Sequence, residues 1–434
     1  MTESQKTAHE QEKPADEAAE SRHGHSPEGR SKTVSFGLDI GLFLRHWHIF
    51  ALAAIFVLSF FARTYYFHYP YLLNVDSYFQ YRYIGYVADG GIPERDMLML
   101  APVGLETGLS TGVSNIYHYI GGYSYLLAKI FFPGLELWQY LVYLPAILAG
   151  LMVIPAYYIG RVIYDRKAGV LMAFLTLFNP AIFMRSLGGD PDTDAIVMLM
   201  PMLVMMFFLL AYDYMQKDRK ILNYRALIFS GLTGVFLAAY AFTWVGYWYI
   251  LFLIGGFMVS IILIDTFRHR GKDGALAALK KSRHIMVNLA IMIFIFCLLT
   301  VPVFGIGFIE RTVFQPFAAT NLKAETGDFP NVFVSVQEMM AGGSLSEIVQ
   351  RAGPVFFFLT YIVCIPYLIG TYFYKRKHME TMVLIALWSI GSLFATIFAV
   401  RFSILLAIPL SLGSAIILAK LWRLAVGQDK GVFE

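Results

Sequence analysis

What most constrains this chain is a succession of apolar runs of about 20 residues, poor in charge and separated by polar segments. A helix of that length crosses the roughly 30 Å of hydrocarbon in a bilayer, where the backbone must satisfy its own hydrogen bonds. The runs fall at about 48–68, 137–160, 167–184, 195–215, 225–243, 245–265, 285–306, 354–374, 379–399 and 402–422. They predict an all-α, polytopic transmembrane helical bundle of about ten spans. Composition agrees: charged residues are 15% of the 434 and hydrophobic ones 58%, which leaves too little charge to coat a soluble globule. Nothing resembles the alternating ten-residue strands of an outer-membrane barrel. Cys297 and Cys364 both lie inside apolar runs, which speaks against a disulfide framework or a Cys-based metal site.

Residues 1–45 are rich in Glu, Lys, Ser and His and too polar to fold alone, so they read as a disordered cytoplasmic tail. Residues 46–424 form the transmembrane domain, with external loops at 69–136 and 307–353, and 425–434 a short tail. One further stretch, 114–132, is long enough to span but carries Asn115, His118 and several tyrosines, as an interfacial helix does. Charge decides its placement. With ten spans and the amino terminus inside, the cytoplasmic segments hold 19 Lys and Arg against eight in the longer outside segments, the expected positive-inside bias. Counting 114–132 as a span would put basic loops on the wrong side. Both termini are therefore expected in the cytoplasm.

In that topology the carboxylates gather on the external face. The first loop carries Asp76 in NVDSYFQYR, the second carries Arg185, Asp190, Asp192 and Asp194 in RSLGGDPDTD, and the loop 307–353 carries Glu338 in SVQE. Carboxylates at i and i+2 in a loop broken by Gly188, Gly189 and Pro191 can point oxygens at one hard cation such as Mg²⁺ or Mn²⁺, with Asp76 as a third ligand. The same acids can instead cap the helix that follows, because Asp and Thr at a helix start satisfy its orphan N–H groups. Two arginines share this face. Arg185 ends a span just before the acidic loop, and Arg401, in FAVRFSILL, stands between apolar runs with no other charge near it. Each is either an interface side chain reaching for water or a fork for phosphate oxygens.

In this order the residues resemble the catalytic subunit of the asparagine-linked oligosaccharyltransferases, especially the archaeal and bacterial single-subunit forms. That family has an Asp in its first external loop, an Arg-x-x-x-Gly-x-x-Asp-x-Asp element in the second, a Ser/Thr-hydrophobic-x-Glu motif in a late loop and an Arg-Phe-Thr/Ser pair before a late span. The matches here are Asp76; Arg185, Gly189, Asp192 and Asp194; Ser335 to Glu338; and Arg401-Phe402-Ser403. The resemblance covers about 48–422. It implies a glycosyltransferase that moves a glycan from a polyprenyl-phosphate-linked oligosaccharide donor to an acceptor polypeptide, at asparagine, outside the cytoplasm.

By the same resemblance Asp76, Asp192 and Asp194 bind Mg²⁺ or Mn²⁺, Arg185 belongs to the catalytic set, and Arg401 holds the donor diphosphate. Asp76 and Glu338 hydrogen-bond the acceptor amide and free its nitrogen lone pair from resonance. Family members also carry a soluble domain with a Trp-Trp-Asp-x-Gly motif that reads the sequon; these residues contain no such motif and stop at Glu434. A separate chain supplying the acceptor-binding part is therefore expected, alongside membrane lipid and without nucleic acid. The residues leave open a polytopic glycosyltransferase using a lipid-monophosphate sugar, a non-catalytic paralogue, or a lipid transporter. Transporters carry ionisable residues at mid-span, whereas the charges here lie at span ends.

Overall fold

The computed structural model describes residues 40–65, 67–218, 220–269, 280, 282–321, 344–375, 378–429 and 431. The chain divides at His46, where the first helix, α1 (Ile40–Thr64), kinks with φ −115° and ψ 19°. From His46 onward the described residues are almost wholly helical. α2 (Val75–Ala88) and α3 (Ile116–Phe131) are separated by a short antiparallel pair, β1 (Arg95–Asp96) and β2 (Leu105–Glu106), in which Arg95 faces Glu106. α4 (Leu137–Leu151) and α5 (Val153–Ile163) follow end to end across Met152, then α6 (Arg166–Leu177), α7 (Pro180–Met184), α8 (Asp194–Lys217), α9 (Tyr224–Ala241) and α10 (Trp248–His269). α11 (Arg283–Phe304), α12 (Gly307–Asn321), α13 (Leu345–Ala352), α14 (Val355–Lys375), α15 (Met379–Phe398) and α16 (Ser403–Ala425) complete the order.

Nine segments among the described residues are long and apolar enough to cross a membrane: Arg45–Thr64, Leu137–Ile163, Asp194–Lys217, Tyr224–Ala241, Val245–Phe267, Arg283–Phe304, Val355–Lys375, Met379–Ile397 and Val400–Ala425. The chain is an all-α, multi-pass membrane protein. The run at 167–184, expected as one continuous helix, is broken into two pieces, α6 of 12 residues and α7 of 5. Pro180 supplies no N–H and pushes the residue before it out of the helical region. Asn179 accordingly sits at φ −64° and ψ 127°, and its side chain caps α7 by accepting the Ala181 N–H at 2.9 Å. The stretch 114–132 forms the 16-residue α3, packed along α2, where Gly121 and Gly122 make room for Ile84 and Val87.

The most buried spans are those of α8 and α16, with 83% and 89% of their apolar windows inside the protein, while Arg45–Thr64 and α11 are buried over only 17% and 22%. α8 and α16 are thus the centre, and the less buried helices present apolar flanks for lipid. Lipid tails supply no hydrophobic drive between helices, so close backbone approach matters more. α5 and α6 show it at Gly160 and Gly169, where an added Cβ would meet backbone atoms of the other helix at 2.9 and 2.6 Å. The starts of the two central helices are linked through side chains, because Asp194 at the start of α8 contacts Arg401 just before α16. Each helix start carries the positive end of its dipole.

Candidate functional site

The loop between α7 and α8 is shaped by backbone bonds to three other segments. Gly188 donates its N–H to Arg63 O at 3.0 Å, Gly189 donates to Val142 O at 2.9 Å, and Leu73 donates to Gly189 O at 2.9 Å. Gly189 has φ +85°, and a Cβ there would enter the Phe67 ring, so glycine is required twice over. The segment between α1 and α4 clamps the same loop. Tyr117 of α3, fully buried, donates its hydroxyl to Pro191 O at 2.9 Å, and Ser77 of α2 donates to Asp190 Oδ1 at 2.8 Å.

On this frame Asp194 is buried and both its oxygens accept guanidinium N–H groups: Oδ2 from Arg185 Nη1 at 3.1 Å and Oδ1 from Arg401 Nη2 at 2.9 Å. The arginine side chains keep 29% and 31% of their surface exposed, so both remain partly open to solvent. Asp192 does not cap α8 in the usual way. Thr193 is the N-cap residue and makes no side-chain cap bond, while Asp192 Oδ1 accepts the Thr193 N–H at 2.6 Å. Asp76 is exposed in the first turn of α2. Its charge reaches Asp190, whose carboxyl pKa is raised by burial and, less, by Asp194, against the hydrogen bond from Ser77. The Asp192 carboxyl is pushed up to about 6 by burial first and the Asp194 carboxylate second, while the Thr193 N–H and Arg401 oppose the shift.

The structure therefore joins Arg185, Asp194 and Arg401 directly and sets Asp192 and Asp190 beside them, with Asp76 on the helix clamped to the same loop. Glu338 lies outside the described residues. Among the described residues no three His, Cys, Asp or Glu side chains converge as a ready ligand set. The carboxylates nonetheless suit a hard cation: like charges crowd in a partly dry loop, and each carboxylate oxygen has two lone pairs, so Asp194 can hold its arginines and still bind. Ser77 escaped the reading of the sequence, and Asp190, named there among the loop's carboxylates, was given no role. Both stand next to residues that reading singled out, but their 113-residue separation hides the bond between them.

The family model described as oligosaccharyl transferase STT3, N-terminal, matches residues 47–428. A dolichyl-phosphooligosaccharide-protein glycotransferase of Methanococcus voltae is 24% identical over 302 residues, covering 63% of this chain and 32% of the relative. The oligosaccharyltransferase AglB of Archaeoglobus fulgidus, solved with an inhibitory peptide and a dolichol-phosphate, superposes with a TM-score of 0.62 at 18% identity, over 90% of this chain and 52% of that one. The Archaeoglobus fulgidus oligosaccharyltransferase solved with Zn and sulfate gives 0.57 at 18% identity, over 88% of this chain and 52% of that one. The chain thus spans about a third of the curated relative's length and about half of the solved ones, and shares their membrane fold. With the family model covering almost all of the apolar region, this chain belongs to the STT3 oligosaccharyl transferase family.

Proposed function

We propose that the chain is the membrane domain of an oligosaccharyltransferase, which transfers a glycan from a polyprenyl-phosphate-linked donor to a protein asparagine. The observation that carries the reading is the bracket of Arg185 and Arg401 on Asp194, next to the acidic loop and at the mouth of the two central helices. Both guanidiniums are partly exposed, and both helix starts favour an anion. A diphosphate leaving group is such an anion, and the dolichol-phosphate bound by the Archaeoglobus fulgidus relative is its chemical kin.

In this reading Asp76, Asp192 and Asp194 hold Mg²⁺ or Mn²⁺, which when bound neutralises charge on the departing phosphate. Arg401 grips the diphosphate, and Arg185 holds Asp194 aligned. Asp76, with Glu338, accepts hydrogen bonds from the acceptor amide so that its nitrogen can attack the anomeric carbon. The carbon–oxygen bond to phosphate then breaks, and the charge appearing on oxygen lies in reach of fixed cationic donors. The excess of 19 basic residues over eight supports an external site and cytoplasmic termini. Incubation of the membrane-embedded chain with a polyprenyl-diphosphate oligosaccharide and Mn²⁺ tests the reading. Saturable donor binding that Arg401→Ala weakens is expected; equal binding by both forms overturns it.

A further inference from the structure

Arg63 closes the last turn of α1 and is 2% exposed. A buried cation ordinarily pairs with a carboxylate, yet every described partner of Arg63 is neutral. Nε donates to Ser186 Oγ at 2.9 Å, Nη2 to Leu177 O at 2.7 Å, and Nη1 to Ser59 O at 3.3 Å and to the Ser59 hydroxyl. The guanidinium carbon also stands 4.6 Å over the centre of the Phe183 ring. Its own carbonyl accepts the Gly188 N–H.

These partners are not scattered. Leu177 ends α6, Phe183 lies in α7, Ser186 follows Arg185, and Gly188 opens the acidic loop. The break at Asn179–Pro180 removes helical continuity between α6 and α7 and leaves the local joint to the turn bonds of Asn179, whose N–H donates to Thr176 O at 3.3 Å and whose carbonyl accepts the Ile182 and Phe183 N–H groups. Arg63 touches both sides of that break with one rigid planar fork, which a lysine ammonium cannot reproduce. A small rotation of α7 would carry Arg185 off Asp194. The charges that act most on Asp190 and Asp192 do not include Arg63, so its influence runs through position and not through its field.

We propose that Arg63 is a positioning residue for the Arg185–Asp194 pair: it splints the α6–α7 break and holds the acidic loop in register. The proposal rests on the reading of that pair as part of the donor and cation site. Its test uses the full chain in detergent, with amide hydrogen exchange and electron paramagnetic resonance of added Mn²⁺ as readouts. Arg63→Lys should speed exchange at Gly188 and Gly189 about tenfold or more while α8 and α16 stay protected. It should also weaken Mn²⁺ binding about 10- to 100-fold, as loss of an outer-shell support does. The double variant Arg63→Lys/Arg185→Ala should bind Mn²⁺ no worse than Arg185→Ala alone, because the two act as one unit. Should Arg63→Lys fail to fold, Ser186→Ala, which keeps the arginine, should move both readouts the same way by less. Unchanged exchange at Gly188 and Gly189, or additive losses in the double variant, would overturn the proposal. A wild type that binds no Mn²⁺ counts against the cation site, and the exchange result still decides the role of Arg63.

Discussion

Arg401 and Asp194 meet at 2.9 Å across 207 residues of sequence, and the contact joins the start of one central helix to the start of the other. The pair lies in a partly dry site, so removing Arg401 leaves Asp194 with Arg185 alone against repulsion from Asp192 and Asp190. Truncating one member of such a pair costs on the order of 2–5 kcal/mol. Arg401→Ala is therefore expected to weaken binding of a polyprenyl-diphosphate glycan by more than about tenfold. Arg401→Lys should recover only part of the loss, since an ammonium cannot hold Asp194 and phosphate in one fork. Full recovery by lysine would reduce the role of Arg401 to charge alone.

A second expectation concerns pH. Burial and Asp194 place the Asp192 carboxyl near 6, above its ordinary 3.8. Between those values the folded chain holds a proton that the unfolded chain has released. The stabilising contribution is therefore present below about pH 4 and is lost as pH rises through about 6. A divalent cation competes with that proton, so its affinity changes in the opposite sense. Mn²⁺ affinity of the wild type should climb as pH rises through about 6 and then level off. Metal-free wild type should lose thermal stability over the same range, relative to Asp192→Asn. Parallel profiles for the two proteins, with and without Mn²⁺, would remove Asp192 from the site.

Gly189 allows a backbone test. Its φ of +85° and the Phe67 ring beside it penalise any side chain, whereas Gly90, at φ +121°, has nothing within 4 Å of an added Cβ. Gly90→Ala carries only the dihedral strain, about 1 kcal/mol. Gly189→Ala must in addition move the loop that holds Asp190 and Asp192. It is expected to lose Mn²⁺ and donor binding outright, while Gly90→Ala keeps both, as calorimetry on the two purified variants can show.

Much of this was legible in one dimension. Runs of 20 apolar residues announce helices that cross a membrane, and Asp192-Thr193-Asp194 after two glycines announces a loop with clustered oxygens. The break in the 167–184 run was also written there, in Asn179-Pro180, but the hydropathy of the run masks it. Arg63 is different. It sits at the end of an apolar span where a lone arginine usually reaches for water, and only the fold shows it turned inward to Leu177 and Ser186. Bonds such as Ser77 to Asp190 and Tyr117 to Pro191 depend on which loops come together, and no local pattern encodes that.

The sidedness proposed from charge can be checked directly. Ser110 lies exposed in the segment between α2 and α3, and Lys220 is exposed between α8 and α9. Cysteines introduced at these positions should differ in intact cells: Ser110→Cys should react with a membrane-impermeant maleimide and Lys220→Cys only after lysis. Labelling of Lys220→Cys in intact cells would invert the topology and put the acidic loop in the cytoplasm.

The remaining expectation separates donor handling from acceptor choice. Donor binding needs a cation site, a phosphate fork and lipid access, and in the proposed reading Asp76, Asp192, Asp194, Arg185 and Arg401 supply the first two. Choosing Asn-x-Thr over Asn-x-Ala needs something else, a pocket whose polar groups are left unpaired when the hydroxyl is missing, and such pockets discriminate far more sharply than apolar contact does. The family's Trp-Trp-Asp-x-Gly motif marks that pocket, and it is not among these 434 residues. The purified chain is therefore expected to bind a polyprenyl-diphosphate glycan in an Arg401-dependent way, and to glycosylate a free Asn-x-Thr peptide slowly and with little preference over Asn-x-Ala. Adding a polypeptide that carries the motif, in trans or joined to this chain, should raise the rate and restore the preference for threonine. Efficient threonine-dependent glycosylation by these residues alone would show that the sequon is read within the membrane domain, and would direct attention to the exposed faces of α2 and α3 beside Asp76.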